Sequence, residues 1–215
     1  MTEPPIFARA TQLIRDGQGQ SAVEELLAEL PALPAEWQRK AYSLAGLAWY
    51  FNGNYPEALR MFGAAAEGSE IPEDHFNVAM SRVKVGDIPG AHESWQRCFD
   101  LSYQHQDAPS SSTFFQKKLM FAQALFAAGA ADERGLDLVE RQLMGFFTHL
   151  HITDASFWGL RGVPALEEVL PLTKEYYRAL GRGEAEWHLL CDQIAPEMDG
   201  EGQAYVAQLR EWGVS

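Results

Sequence analysis

The stretch YSLAGLAWYFNGNYPEALRMFGAAAE, Tyr42 to Glu67, decides how the chain is read. Two apolar runs flank a short polar break, NGNYPE. Gly46 is a small residue inside the helical apolar pattern of the first run, and Gly53 stands where that run closes. A glycine there supplies the left-handed residue that ends a helix. Asn54 is placed to cap a second helix, and Pro56 to sit in its first turn, where a missing N–H costs nothing. The stretch predicts helix, tight turn, helix.

The same punctuation recurs along the chain. Gly46 is followed by Gly53 at seven residues, Ala58 at twelve and Phe62 four beyond. Ala10 is followed at those offsets by Gly17, Ala22 and Leu26, and Ala79 by Gly86, Ala91 and Trp95. Ala122 is followed by Gly129, but Arg134 stands at twelve; the small residue there is Gly135, with Val139 four on, so one residue is inserted. The starts at 10, 46, 79 and 122 are separated by 36, 33 and 43 residues, and periods of this size signal stacked repeats. Small residues at Ala10, Gly46 and Ala79, facing Ala22, Ala58 and Ala91, let two antiparallel helices approach closely, and Leu26, Phe62 and Trp95 fill the space beside them. Asp87 matches Asn54 as a cap, and Pro89 matches Pro56. One such pair cannot bury both of its faces, so stacking is obligatory.

Tyr42, Gly46, Gly53, Tyr55, Ala58, Phe62 and Ala65, within Arg39 to Pro72, resemble the sparse consensus of the tetratricopeptide repeat family. The resemblance covers roughly residues 4–150, with a degenerate fourth unit. It implies an all-α fold: a right-handed α-α superhelix of about four helix pairs. SFWGLRGVPALEEVLPL is similar to the segment that often ends bacterial arrays of this kind, with Phe157, Leu160, Arg161, Pro164, Leu166 and Leu170 in the matching places. Capping helices are expected at about Thr173–Leu180, Glu184–Ile194 and Gln203–Trp212, the last two striped by Trp187, Leu190 and Ile194 and by Tyr205, Leu209 and Trp212. The expected organisation is an array over 1–150 and capping helices over 151–215. Ser102 to Thr113, SYQHQDAPSSST, reads as a solvated loop between the third and fourth units.

Bulk properties narrow the function. The 215 residues carry a formal net charge of -13, and 47% are hydrophobic. Phosphate contacts need clustered Lys and Arg, and the densest basic pair is Lys117-Lys118, so neither nucleic acid nor a membrane surface is an expected partner. Cys98 and Cys191 form no metal-type pair and no disulfide framework. MTEPPIFARA lacks the basic start and apolar run of a signal peptide, and a cytoplasmic location is expected.

Chemistry-bearing motifs are sparse. His149 and His151, with Asp154 nearby, would converge on a metal only if the helix ended there. His188 and Cys191 share a helix face but have no partner cluster. Glu24-Glu25 and Glu167-Glu168 read as solvated helix faces. No phosphate loop, zinc helix or nucleophile elbow occurs. No catalytic residue, metal or cofactor is expected.

The resemblance places the binding surface instead. In tetratricopeptide arrays the first helix of each pair lines a concave groove. Residues offset from the small-residue stripe face it: Phe7, Thr11 and Ile14; Ser43, Leu47 and Tyr50; Phe76, Met80 and Val83; Leu119, Gln123 and Phe126. One branch of the family grips a C-terminal carboxylate with Lys, Asn and Arg. Phe7, Thr11, Ser43, Leu47, Phe76 and Met80 occupy the matching positions, so that clamp is missing. The expectation is a non-enzymatic adaptor or chaperone-like module holding an apolar or amphipathic peptide segment of another protein. The alternative is a self-associating protein that forms a homodimer through the same face, and the groove is either open or covered by the C-terminal helices.

Overall fold

The computed structural model describes residues 3–104 and 111–213, and every regular element among them is helical. The chain divides into two compact units, Met1–His105 and Gln106–Ser215.

The first unit holds α1 (Pro5–Arg15), α2 (Gly19–Glu29), α3 (Ala35–Phe51), α4 (Tyr55–Ala66), α5 (Pro72–Lys84) and α6 (Ile88–Gln104), with a 3-10 turn at Leu30–Ala32. Each helix packs on the next. The three pairs close alike. Gly17, Gly53 and Gly86 have φ of 75°, 75° and 82°, and the residue after each donates its N–H back to Leu13, Trp49 and Arg82. That six-to-one bond satisfies a carbonyl that the helix end would otherwise orphan. Asp87 caps α6 by accepting the Gly90 N–H at 3.0 Å. Asn54 precedes α4 without a side-chain cap, and Pro56 in the first turn has no N–H to satisfy.

Ala10, Ala79, Ala22, Ala58 and Ala91 are all fully buried, as the close-approach reading requires. Gly46 meets the Phe62 ring, where a Cβ would lie 2.5 Å from Cδ1. First helices also meet one another across pairs. Phe7 of α1 packs on Trp37 of α3 with centroids 5.4 Å apart, and Arg39 of α3 reaches Asp74 of α5 through one nitrogen at 2.9 and 3.1 Å. Asp74 is buried, and Ser69 Oγ donates to it at 2.6 Å. A buried carboxylate is tolerated only with such partners.

The second unit holds α7 (Ser111–Ala127), α8 (Glu133–Gln142), a π-helical stretch (Leu143–Phe147), α9 (Thr148–Leu150), α10 (Ala155–Gly159), α11 (Leu166–Ala179), α12 (Glu184–Ile194), a 3-10 turn (Ala195–Glu197) and α13 (Gly200–Leu209). Gly129 closes α7 with φ 66°, and the inserted residue is absorbed by Asp132, which caps α8 by accepting the Gly135 N–H at 2.8 Å. This fourth pair shares a core with the helices after residue 150. Leu136, Val139 and Leu143 bury against Val169, Leu170 and Tyr176. The Tyr176 hydroxyl donates to Ala122 O at 2.7 Å, and its ring fills the space that the missing side chain of Gly135 leaves. The fourth pair and the helices after residue 150 thus fall in one compact unit.

Three details of that region differ from expectation. Leu160 is 88% exposed, so it covers nothing, whereas Leu166 and Leu170 are buried. α11 begins at Leu166 and runs through Pro171, because the burial of Leu166, Val169 and Leu170 outweighs one lost backbone bond. α13 ends at Leu209, leaving Trp212 outside any helix. Of the expected loop, residues 105–110 lie outside the described residues, while 102–104 and 111–113 are helical. No helix among the described residues is long and apolar enough to cross a membrane.

Candidate functional site

On α1, α3 and α5 the chain sets three stripes side by side. Side chains four apart on a helix lie one above the other. Ser43, Leu47 and Phe51 therefore form one line on α3, with Tyr50 beside it. Phe7, Thr11 and Arg15 form the matching line on α1, and Phe76, Met80 and Lys84 that on α5.

The stripes are unevenly exposed. Phe7, Phe76 and Val83 are buried and serve packing: Phe7 on Trp37, and Phe76 edge-on to Trp95 at 6.3 Å. Thr11, Ile14, Ser43, Leu47, Tyr50 and Met80 are half-buried. The Thr11 hydroxyl is turned back onto Phe7 O at 2.8 Å, and Ile14 leans on the core of the first two pairs. Leu47 and Tyr50 rest on Ala58, Phe62 and Val78 with part of each still open. The fourth set belongs to the second unit. There Leu119 is core, Phe126 packs on Tyr176 with centroids 5.6 Å apart, and Gln123 is exposed.

One strong feature escaped the sequence reading. Phe51 is 72% exposed, the largest aromatic surface left open on α3. Its ring meets Tyr50 edge-on at 6.3 Å, Tyr50 meets Tyr55 at 5.2 Å, and the Lys84 ammonium lies 5.8 Å from the Tyr55 centroid. Burial, and Tyr55 beside it, push the Tyr50 phenol above its ordinary pKa, so it stays a neutral hydrogen-bond donor. The signal was present: Phe51 lies one helical turn beyond Leu47. At the α1 end of the face, the Lys40 ammonium lies 5.1 Å from the Phe7 centroid and 5.8 Å from that of Trp37, and it pairs with Glu3. The face thus presents aromatic and aliphatic surface edged by cations.

The other candidates do not converge. His149 is exposed, the His151 ring turns to Glu197 O, and Asp154 caps α10 by accepting the Phe157 N–H at 2.6 Å. His188 Nε2 points at Arg210 O, while burial pushes the Cys191 thiol up to about 11. Among the described residues no three His, Cys, Asp or Glu side chains gather as metal ligands would. Comparison with protein-family models, with curated proteins and with solved structures returns no match for this chain.

Proposed function

We propose that the first unit is a non-enzymatic interaction module of the tetratricopeptide type. Its pairs coil into a right-handed superhelix that holds an apolar or amphipathic segment of another protein against α1, α3 and α5. The observation that carries this reading is the exposed ring of Phe51, in line with Ser43 and Leu47 and continued sideways by Tyr50 and Tyr55. Desolvating a large apolar side chain contributes about 1.5–3 kcal/mol, so a segment covering Phe51 together with the open parts of Leu47 and Met80 gains enough for specific binding. Arg15 and Lys84, both exposed, stand at the positions on α1 and α5 that match Phe51. They favour carboxylates at the edge of the bound segment, at under about 1 kcal/mol each because such pairs are solvated. Function in this reading is adaptor-like or chaperone-like.

The test is a selection of peptides from a displayed random library against the whole chain, followed by calorimetry of the enriched peptides on variants. Leu47→Asp, Phe51→Asp and Met80→Asp are expected to weaken binding at least about tenfold, with unchanged helical circular dichroism. Unchanged affinity in all three folded variants places the binding surface elsewhere. If no peptide is enriched, and light scattering finds a dimer that Phe51→Asp dissolves, self-association through this face replaces the adaptor reading.

A further inference from the structure

The second unit holds a short piece of its own chain as a peptide-binding protein holds a ligand. After α13 ends, residues 210–213 run without regular structure along α11 and α12. Five consecutive main-chain carbonyls, from Leu209 to Gly213, each accept a bond from a side chain of those two helices. Lys174 Nζ donates to Leu209 O at 2.9 Å and to Glu211 O. Trp187 Nε1 donates to Leu209 O at 3.1 Å, and His188 Nε2 lies 3.1 Å from Arg210 O. Arg178 Nη2 donates to Trp212 O at 3.1 Å and to Gly213 O at 2.6 Å. A carbonyl only accepts, so the His188 nitrogen facing it carries the proton.

Two side chains of the segment are read as well. The Trp212 ring packs on Trp187 with centroids 6.4 Å apart and lies 5.3 Å from the Arg178 guanidinium. The Arg210 guanidinium pairs with Asp192 through both nitrogens. Glu211 and Gly213 face solvent. Core segments are held by buried apolar side chains, whereas this one is held by main-chain oxygens and two anchors. Main-chain bonds for affinity and pockets for alternate side chains are the division of labour in peptide recognition. A hollow of about 340 Å³ remains alongside, with Pro171, Lys174 and Arg178 on one wall and Glu211 and Gly213 on the other.

We propose that the α11–α12 hairpin is a second peptide site. Its ligand is an extended segment of a partner protein carrying a tryptophan two residues after an arginine, and Arg210–Gly213 is the resident self-ligand that such a segment displaces. Lys174 and Arg178 then pass from one set of carbonyl acceptors to another and are never left uncompensated. Burial, with Arg178 nearby, lowers the Lys174 ammonium below its ordinary pKa, in keeping with a desolvated seat that needs those acceptors.

The probe is a fluorescein-labelled peptide with the sequence of residues 205–215, titrated by anisotropy into the full chain. In the wild type the tethered segment competes at an effective concentration on the order of millimolar, so binding in trans is weak. Trp212→Ala loosens the tethered copy and is expected to bind the peptide at least about tenfold more tightly than wild type. Adding Arg178→Ala is expected to remove that binding. Equal binding by wild type and Trp212→Ala overturns the proposal, as does binding that survives Arg178→Ala. Arg210→Glu, which sets like charges against Asp192 and leaves Trp212 intact, is the second loosening variant and is expected to behave as Trp212→Ala does. If both variants lose their helical signal, the segment is core and the proposal fails. A wild-type dimer by light scattering at the titration concentrations assigns the site to a second copy, and that too overturns the partner reading.

Discussion

Three glycines of the second helix pair carry three separate physical roles, and one substitution tells them apart. Gly46→Ala drives a methyl into the Phe62 ring, 2.5 Å from Cδ1, and overpacking of this sort costs about 1–3 kcal/mol. At Gly53 nothing lies near the new Cβ, but φ is 75°, so alanine costs about 1–2 kcal/mol from backbone conformation alone. Gly63 is exposed inside α4 with open space around it, and Gly63→Ala is expected to stabilise by about 0.5–1 kcal/mol. Urea midpoints of the three variants should fall in that order; a destabilised Gly63→Ala would refute the assignment of α4. Ser81 supplies a fourth case. Its hydroxyl is fully buried on α5 and finds no hydrogen-bond partner among the described residues, so Ser81→Ala is expected to be neutral or stabilising by up to about 1 kcal/mol. These residue-scale roles differ in how far they could be read from the chain. Gly53 was legible because turn chemistry is local. The Phe62 ring beside Gly46 was legible too, from its place one turn beyond Ala58, but the 2.5 Å separation that sets the cost of a methyl needed coordinates.

Between elements, α3 and α5 are joined by the bond from Arg39 to Asp74, residues 35 apart in sequence. Asp74 has only 2% of its side chain exposed, against 35% for Arg39, so removing one partner is not equivalent to removing the other. Arg39→Ala strands a buried carboxylate with Ser69 as its remaining donor and is expected to cost about 3 kcal/mol in thermal or urea unfolding. The double change Arg39→Ala with Asp74→Ala removes the stranded charge and should recover part of that loss. A double variant no better than Arg39→Ala would mean that the bond itself, not the stranded carboxylate, carries the stability. The α11–α12 pair shows what pattern matching overlooks. It closes as the first four pairs do, with Gly181 at φ 71° and the Arg182 N–H returned to Tyr177 O. Seven residues before Gly181 stands Lys174, not a small residue, so this pair lacks the spacing of the others. The Lys174 ammonium donates to Leu209 O at the end of α13 and to Glu211 O beyond it, a role that a small residue could not fill.

At the scale of the molecule, three groups of the second unit have their protonation tied to folding. Burial pushes the Cys191 thiol up to about 11; burial and the bond to Glu140 push the Tyr177 phenol up to about 12; burial raises Tyr176 further still. All three favour the protonated form in the fold. The stabilisation is therefore complete below the ordinary pKa of each group, near 8.5 for a thiol and 10 for a phenol, and is lost as pH rises through the folded values. At about pH 10.5 the thiol alone should cost on the order of 2 kcal/mol. Unfolding followed by Trp158 and Trp187 should shift to lower urea at that pH than near neutrality. An unchanged urea midpoint at that pH would contradict it. Below about pH 10 the Cys191 thiol should also resist alkylation until the chain unfolds.

The helix pairs were readable from the chain because everything that makes them is local. A left-handed glycine, a proline in a first turn and apolar residues three and four apart act within one or two helical turns. They need no knowledge of what lies opposite. Which pairs belong together, and which side chains stay open, depended on neighbours remote in sequence: Tyr176 with Ala122, Arg39 with Asp74, Lys174 with Leu209. Hence Phe7, Val83 and Leu119, placed on the right helices by their spacing, are buried, whereas Phe51 stands open. Burial is set by whatever arrives from elsewhere in space, and no short-range pattern in the chain encodes that arrival.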